Sequence, residues 1–153
     1  MESGGLALLL ALALALALAT CASPAGRKCV LSGSWRSDGG CRMVVSILGQ
    51  DGGFSGSYLP GAVASDPQIP ASPLKGSQQD AGLVAQPTFS FAVHWQHREA
   101  PGGSTTAFVG QCFVDEAGEE SLHALWLLRE EVASPTEDWK ATRIGTSVFT
   151  RIK

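Results

Sequence analysis

The chain has 153 residues and a formal net charge of −3 at neutral pH, which suits one ordinary domain. Its lysines and arginines are scattered rather than clustered, and this argues against a nucleic-acid-binding surface. The sequence contains no asparagine, so N-linked glycosylation is excluded.

The first residues are predicted to form a secretory signal peptide. Leu6–Ala19 is an unbroken run of leucine and alanine, shorter than the roughly 20 residues that cross a bilayer. Small residues follow at positions suited to cleavage, ending at Ala22 or Ala25. A membrane anchor is the alternative. The extreme N-terminus lacks the lysine or arginine of a standard leader, so the sequence does not fix the cleavage position. We therefore expect residues 1–25 to be a signal peptide and residues 26–153 to be one domain.

Short segments of alternating polarity recur along the rest of the chain, which is the pattern of an all-β protein. Asp38-Gly39-Gly40, Asp51-Gly52-Gly53 and Glu116-Ala117-Gly118 supply the positive-φ residues that tight hairpins need. Neighbouring segments should therefore pair antiparallel. The eight predicted strands are Val30–Arg36, Met43–Leu48, Phe54–Leu59, Leu74–Gln78, Thr88–Gln96, Thr105–Val114, Ser121–Glu130 and Thr142–Ile152.

Three longer connections separate some of these strands. Gly61–Ser72 contains Pro67 and Pro70 and is followed by Pro73, so it is not expected to continue a ladder. The others are His97–Ser104 and Val132–Asp138, and no helix longer than one turn is predicted. Eight antiparallel strands can form a sandwich or a closed barrel. A barrel removes exposed edges and leaves room for one small ligand.

The cysteines predict one disulfide. Cys21 lies in the predicted leader, which leaves Cys29, Cys41 and Cys112. An odd number in an oxidising compartment predicts one bond and one remaining thiol. No histidine and cysteine spacing matches a zinc site, so no metal is expected.

Aromatic residues share faces with small hydroxyl residues along the predicted strands. Side chains two apart lie on one face, so Trp126 accompanies Leu128, Trp95 accompanies Phe91, and others follow the same rule. An inward surface of this kind suits a compact ligand with a polar head. The alternative is that these rings only fill the core.

Catalysis finds little support in the sequence. His94, His97 and His123 match no triad signature, and the nucleophile motif G-x-S-x-G is absent. The acidic pairs Glu130-Glu131 and Glu137-Asp138 lie beside a loop and are interpreted as solvated surface rather than a glycosidase pair. We therefore expect a protein that is not an enzyme and has no catalytic cofactor.

The chain from Arg27 to Lys153 resembles the avidin family. Within the family it is more similar to the vertebrate avidins and egg biotin-binding proteins than to the bacterial branch. The resemblance implies an eight-stranded antiparallel up-and-down β-barrel that binds biotin. The motifs that carry it are Arg27-Lys28-Cys29, Leu31-x-Gly33-x-Trp35, Phe54-x-Gly56-x-Tyr58, Ser72-Pro73-Leu74-x-Gly76, Gln86-Pro87-Thr88-Phe89-x-Phe91-x-Val93-x-Trp95, Phe108-x-Gly110-Gln111-Cys112-Phe113-x-Asp115, Trp126-Leu127-Leu128-Arg129 and Asp138-Trp139-Lys140-Ala141-Thr142-Arg143-x-Gly145.

The resemblance also implies roles for the residues that would hold the head of biotin. Tyr58 matches the tyrosine whose hydroxyl donates to the ureido oxygen. Trp95, Phe108 and Trp126 match the aromatic box around the bicyclic ring, and Leu128 lies beside them.

Further family positions concern the sulfur, the tail and the neighbouring subunit. Thr106 is expected near the ring sulfur and Ser104 near the carboxylate, while Ala64 and Ser65 fall in the loop over the tail. Trp139 matches the tryptophan that reaches into a neighbouring subunit's site, so the resemblance implies a homotetramer.

Cys29 and Cys112 match the disulfide within each subunit of the family. Closing so long a loop adds roughly 4 kcal/mol in the chain-entropy treatment. Cys41 is then expected to be a free or intermolecularly bridged thiol near the mouth of the pocket.

Three polar positions depart from the family pattern. Ser37 and Cys41 stand where Asn and Ser usually donate to the ureido oxygen, and Ser147 stands where Asn or Asp meets a ureido nitrogen. A weakened hydrogen bond in a dry site costs about 1 to 3 kcal/mol. Three such losses from a limit near −18 to −21 kcal/mol still leave roughly −9 kcal/mol or better, which is submicromolar.

These observations lead to two hypotheses. The first is a secreted biotin binder that sequesters or carries the vitamin, without nucleic-acid partners and without a membrane association after signal removal, with Arg98 as a candidate partner of the carboxylate. The second keeps the barrel but gives it a degenerate site that binds biotin weakly or holds a different small ligand.

Overall fold

The computed structural model describes residues 26–47, 49–61, 68–80, 82–95 and 103–153, so the predicted leader lies outside the described residues. Each strand pairs antiparallel with its neighbours in sequence, and the first pairs with the last, which closes the sheet into a barrel. The predicted fold class and all eight strands are therefore confirmed. The strands are β1 Gly33–Ser37, β2 Arg42–Ile47, β3 Gly53–Leu59, β4 Ser72–Gln78, β5 Thr88–His94, β6 Ser104–Val114, β7 Glu120–Glu130 and β8 Thr142–Arg151.

The described part of the chain contains no helix long and apolar enough to cross a membrane. Three of its hairpins turn at a glycine with positive φ. Gly40, Gly52 and Gly118 have φ values of 82°, 83° and 84°, in the region that favours glycine. Each lies in one of the three predicted turns, so the hairpin prediction is confirmed at the residue level.

The first strand begins later than predicted, at Gly33 rather than Val30. The backbone before Gly33 is bonded to side chains instead of to a neighbouring strand: the N–H of Val30 donates to Glu120 at 2.6 Å, and Arg151 donates to the carbonyl oxygen of Ser32 at 2.9 Å. Leu31 is buried, and its carbonyl oxygen accepts the indole N–H of Trp35. This segment runs across one end of the barrel, which we call the plugged end.

The fourth strand begins earlier than predicted and includes Pro73. In the β3–β4 register Pro73 faces Ser57, but pairing of β4 with β5 begins only at Leu74. Proline lacks an N–H group and is tolerated where a ladder hydrogen bond is not required, at the first residues of a strand. The prediction that proline excludes this position from the sheet was wrong for this reason.

A 3₁₀ helix, Pro135–Lys140, occupies the connection predicted to lack a helix longer than one turn. Ser134 precedes it in extended conformation, and Pro135 occupies its first turn, where a missing N–H costs nothing. The N–H of Glu137 donates to the Ser134 carbonyl oxygen, and that of Ala141 donates to Asp138. The helix therefore spans two short turns and carries Trp139.

Aromatic rings form a continuous column inside the barrel. Phe89 and Phe91 stack with centroids 6.0 Å apart, and Phe91 stacks on Phe108 at 4.5 Å. Phe108 in turn contacts Tyr58 at 5.5 Å. The column leads from the core to the end opposite the plugged end, which we call the mouth.

Arg151 holds the plugged end together. Its Nε donates to Glu120 at 2.5 Å, its two terminal nitrogens donate to the carbonyl oxygens of Val30 and Ser32, and its guanidinium lies 4.2 Å from the centroid of Trp35. The side chains of Arg151 and Glu120 are only 25% and 17% exposed. The pair is therefore shielded from screening by solvent, and it joins β7, β8 and the segment before β1.

Replacing Arg151 by methionine is expected to lower the free energy of unfolding by about 2 to 4 kcal/mol, because Glu120 and two carbonyl oxygens lose their partner. Guanidinium unfolding followed by tryptophan fluorescence measures the change. Lys153→Met is the matched control, since the Lys153–Glu119 pair is largely exposed and is expected to contribute nothing measurable. Equal stability of the two variants would contradict the prediction.

Candidate functional site

Three polar side chains meet at the mouth between β1, β2 and β3. Ser37 ends β1 and is 5% exposed, Tyr58 lies in β3 and is 3% exposed, and Cys41 immediately precedes β2. The N–H of Cys41 donates to the Ser37 hydroxyl oxygen at 3.0 Å, and the Cys41 side chain lies beside the phenol of Tyr58. We call Ser37, Cys41 and Tyr58 the donor cluster.

Ser37 and Tyr58 both keep a proton that can be donated. The Ser37 oxygen already accepts from a backbone N–H, so its own proton remains to be donated. Burial, and to a smaller extent the neighbouring Cys41, raise the pKa of Tyr58 well above its ordinary value, so the phenol keeps its proton. Buried O–H and S–H groups of this kind suit a neutral carbonyl oxygen better than a cation.

Trp95 and Phe108 form the wall next to Tyr58. The Trp95 ring meets Tyr58 edge-on at 5.5 Å, and Phe108 lies at the same distance with a tilt of 35°. The indole N–H of Trp95 donates to the hydroxyl oxygen of Thr106 at 2.8 Å, and Thr106 is 3% exposed. Trp95, Phe108 and Thr106 thus lie close together, with Trp95 and Phe108 beside Tyr58.

Trp126 lies on the same inward face, directly opposite Phe108 in β6 and Gly145 in β8. It is half-buried and packs against the core rather than turning to solvent. A Cβ at Gly145 would come within 2.2 Å of the indole ring, so glycine at this position lets the ring lie flat against β8. Leu128, opposite Thr106, continues this wall toward the mouth.

The remaining predicted site residues divide into three groups. Ser104 and Ser147 are half-buried on β6 and β8, with Ser104 at the mouth. Trp139 is 84% exposed on the 3₁₀ helix, so it takes no part in the site of its own chain. Ala64 and Ser65 lie outside the described residues.

Sequence reasoning missed polar residues at the mouth. Ser72, assigned to a loop end, is fully buried directly opposite Tyr58. Glu130, interpreted as solvated surface, stands opposite Ser104 in the β6–β7 register. The sequence did indicate that Glu130 faces inward, because it is the next residue after Trp126 and Leu128 in the series of alternate side chains.

The cysteines follow the prediction. Cys29 and Cys112 are bonded, and Cys41 is a free, half-buried thiol. Within the described ranges, the one group of metal-binding atoms close enough to share an ion is Cys29, Cys112 and Glu120. The two sulfurs are bonded to each other and Glu120 is paired with Arg151, so this group is not a metal centre.

Tyr58 is the single tyrosine of the chain, so tyrosinate absorbance reports this residue alone. The folded protein is expected to show no tyrosinate at pH values somewhat above 10, whereas the chain in guanidinium ionises near the ordinary value of about 10. Because the pKa of Tyr58 is raised on folding, the unfolded chain binds fewer protons above that pH. Stability should therefore fall as pH rises beyond about 10.

A spectrophotometric titration paired with guanidinium unfolding at several pH values tests this expectation. The Tyr58→Phe variant is the control, since it should show no tyrosinate absorbance at any pH. Ionisation of the folded protein near pH 10, without unfolding, would show that the phenol is not held as a buried donor.

The sequence and the fold match known proteins over most of the chain. A profile of the Avidin family matches residues 25–152. Avidin of Gallus gallus is 44% identical over 129 residues, which covers 84% of this chain and 82% of avidin. Among solved structures, a biotin binding protein from chicken is 54% identical with a TM-score of 0.72, covering 83% of this chain and 99% of that one. Xenavidin is 40% identical with a TM-score of 0.70, covering 82% of this chain and 100% of its own. The chain belongs to the avidin family.

Proposed function

We propose that this chain is a secreted, non-catalytic protein that binds biotin in the mouth of the barrel and sequesters or carries the vitamin. The observation that carries the proposal is the donor cluster facing the aromatic wall. A polar head with a carbonyl oxygen fits the cluster, and an apolar ring system fits the wall beside it. The names of the relatives, which include a biotin binding protein, point to the same ligand.

The ureido oxygen of biotin is placed at the donor cluster. The Cys41 thiol beside the Tyr58 phenol is a weak hydrogen-bonding group, so it competes little with a ureido oxygen for the phenol proton. Ser37 contributes its remaining proton, and Ser147 is placed at a ureido nitrogen.

The bicyclic ring lies between Trp95, Phe108 and Trp126, with Leu128 at its outer edge. Burying a fused ring against three aromatic side chains removes apolar surface from water. The Thr106 oxygen accepts from Trp95, so its own proton is free to point at the ring sulfur.

The tail leaves through the mouth. Ser104 stands at the start of β6 where the wall ends, and we assign it to the end of the tail. Ala64 and Ser65 are assigned to the loop that covers the tail.

Secretion follows from the leader and the disulfide together. Residues 1–25 are assigned to a signal peptide and residues 26–153 to the mature domain. The Cys29–Cys112 bond fits an oxidising compartment, because structural disulfides are rare in the cytosol.

A second candidate function rests on the departures at Ser37, Cys41 and Ser147. With a thiol and two short hydroxyls in place of longer or stronger partners, the barrel would hold biotin weakly or prefer another small ligand. The two candidate functions differ in whether Ser37, Cys41 and Ser147 limit the affinity for biotin.

Titration calorimetry with biotin tests the first candidate, and submicromolar binding is expected. The triple variant Ser37→Asn, Cys41→Ser, Ser147→Asn is expected to bind biotin at least tenfold more tightly, since each change strengthens a hydrogen bond by about 1 kcal/mol or more.

The triple variant has its own control in Ser46→Asn, which alters an exposed serine on β2 and should leave affinity unchanged. Absence of heat and of any thermal shift at micromolar biotin would refute the first candidate. If the triple variant binds no better than the parent, the departures do not limit affinity.

The chain is further proposed to act as a homotetramer. The outer faces of β6, β7 and β8 expose large apolar side chains, which monomeric proteins rarely group together. Trp139 is also exposed, on a helix held to β7 by the Arg129–Asp138 ion pair. The apolar residues of this outer surface are Val109, Leu125, Leu127 and Ile144.

Trp139→Ala is expected to weaken biotin binding roughly thirtyfold, because truncating a tryptophan at an interface costs about 2 kcal/mol or more. Dissociation rates of biotin and light scattering of the free protein provide the measurements. Leu83→Ala is the control, since Leu83 is equally exposed at 85% but lies away from the mouth. Equal biotin affinity in both variants, or a monomeric mass, would contradict the assembly.

A further inference from the structure

The outer face of β5 to β8 carries one titratable side chain in its interior. Side chains two apart share a face of a strand, so the outward positions can be read from the pairing of these strands. Those within residues 88–92, 105–113, 121–127 and 142–150 are apolar, hydroxyl or amide side chains, with His123 as the exception. We call these outward positions the uncharged face.

His123 lies within β7 and is exposed. It stands directly opposite Gln111 of β6 and Val148 of β8, and with Leu125 these residues line a shallow depression in the surface. Phe113 meets the imidazole ring edge-on, with centroids 5.1 Å apart. The ring therefore has apolar and amide neighbours, and no carboxylate on β6 or β8 stands opposite it.

Charged side chains at the two ends of the uncharged face are already in ion pairs. Arg129, six residues from His123 toward the mouth, is paired with Asp138. Lys153, at the plugged end, is paired with Glu119. Neither carboxylate is therefore left without a cation of its own.

The charged side chains on the flanking strands are cations. Arg36 of β1 stands opposite the last outward residue of β8, and Lys75 of β4 stands opposite the outward alanine of β5. His94, which ends β5, is a second exposed histidine at the mouth. Glu120 alternates onto the inner face of β7 and is bound to Arg151. The described strands therefore offer no carboxylate to a protonated imidazole on this face.

The uncharged face is large enough for a second copy of the chain. Four strands about 4.8 Å apart and about eight residues long span a plane of roughly 20 by 25 Å. With the relief of its side chains, this approaches the roughly 800 Å² per partner of a standard interface. The exposed Leu125 and Leu127 lie near its centre, and His123 is only about 7 Å from Leu125 along the strand. An interface of this size therefore covers His123.

We propose that two copies meet through the uncharged face and that protonation of His123 loosens their contact. This inference rests on the proposed homotetramer, because it takes this face to be covered by the same face of another copy. In such a two-fold contact neither copy supplies a carboxylate to the imidazole of the other. A neutral ring is tolerated there, whereas a covered imidazolium without a partner is costly. The assembled form then binds fewer protons than the separate copies, so lowering the pH favours separation.

The size of the effect follows from the titration of histidine. Exposed histidine side chains gain a proton near pH 6.5. If the assembled form excludes that proton, each covered histidine weakens association by about tenfold between pH 7.5 and 5.5. The two histidines of a two-fold contact together weaken it by about a hundredfold. Ordinary carboxylates stay ionised over this range, so surface ion pairs keep their charges.

The test measures how fast copies exchange between assemblies at pH 7.5 and 5.5. Donor-labelled and acceptor-labelled preparations are mixed, and the growth of energy transfer gives the exchange rate. The parent is expected to exchange at least tenfold faster at pH 5.5, since weaker association appears mostly as faster dissociation. His123→Gln keeps a polar side chain that cannot be charged, so its exchange rate should change less than twofold.

His94→Gln is the matched control, because it removes an exposed histidine at the mouth end of β5 and should accelerate on acidification like the parent. If the parent exchanges equally fast at both pH values, or if His123→Gln accelerates as much as the parent, the role of His123 is overturned while the assembly stands. Loss of the pH response in His94→Gln alone would overturn it as well. A monomeric mass of the parent at pH 7.5, measured by light scattering, would instead refute the proposed homotetramer and this contact together.

Discussion

Pairing of the first strand with the last is the interaction on which the rest of the molecule depends. Only three residue pairs join β1 to β8, from Trp35 with Arg151 to Ser37 with Phe149. The contact is reinforced because Arg151 of β8 binds Glu120 of β7 on one side and the segment before β1 on the other. Without this closure the sheet would have two open edges, and the inward face would be exposed to water.

Closure explains why the mouth can hold polar groups in a dry setting. Ser37, Tyr58 and Thr106 are each at most 5% exposed, and a buried polar group without a partner is costly. The chain meets part of that cost locally: Ser37 accepts from the N–H of Cys41, and Thr106 accepts from the indole N–H of Trp95. Each of these two hydroxyls uses an acceptor in this way and keeps its own proton.

The sequence was sufficient where alternation and turn chemistry act locally. Strand number, the glycine turns and the shared face of Trp126 and Leu128 follow from periods and φ preferences that neighbouring residues alone determine. The sequence was insufficient where the structure depends on contacts between residues far apart in the chain. The backbone at Val30 bonds to Glu120, ninety residues away, and Pro73 is tolerated because only one of its neighbouring strands pairs there. The family motifs identified the aromatic wall but not Glu130. A charged residue at the end of a strand is interpreted as exposed surface when the pairing of that strand is unknown.

The donor cluster lies in the buried part of the barrel, where hydrogen bonds act at close to full strength and depend little on salt. The ends of β6, β7 and β8 beside it are exposed, and ion pairs there, such as Arg143 with Glu130, are weakened and screened by solvent. A substitution at Ser37 would therefore change the chemistry of the site far more than the loss of an ion pair at its rim.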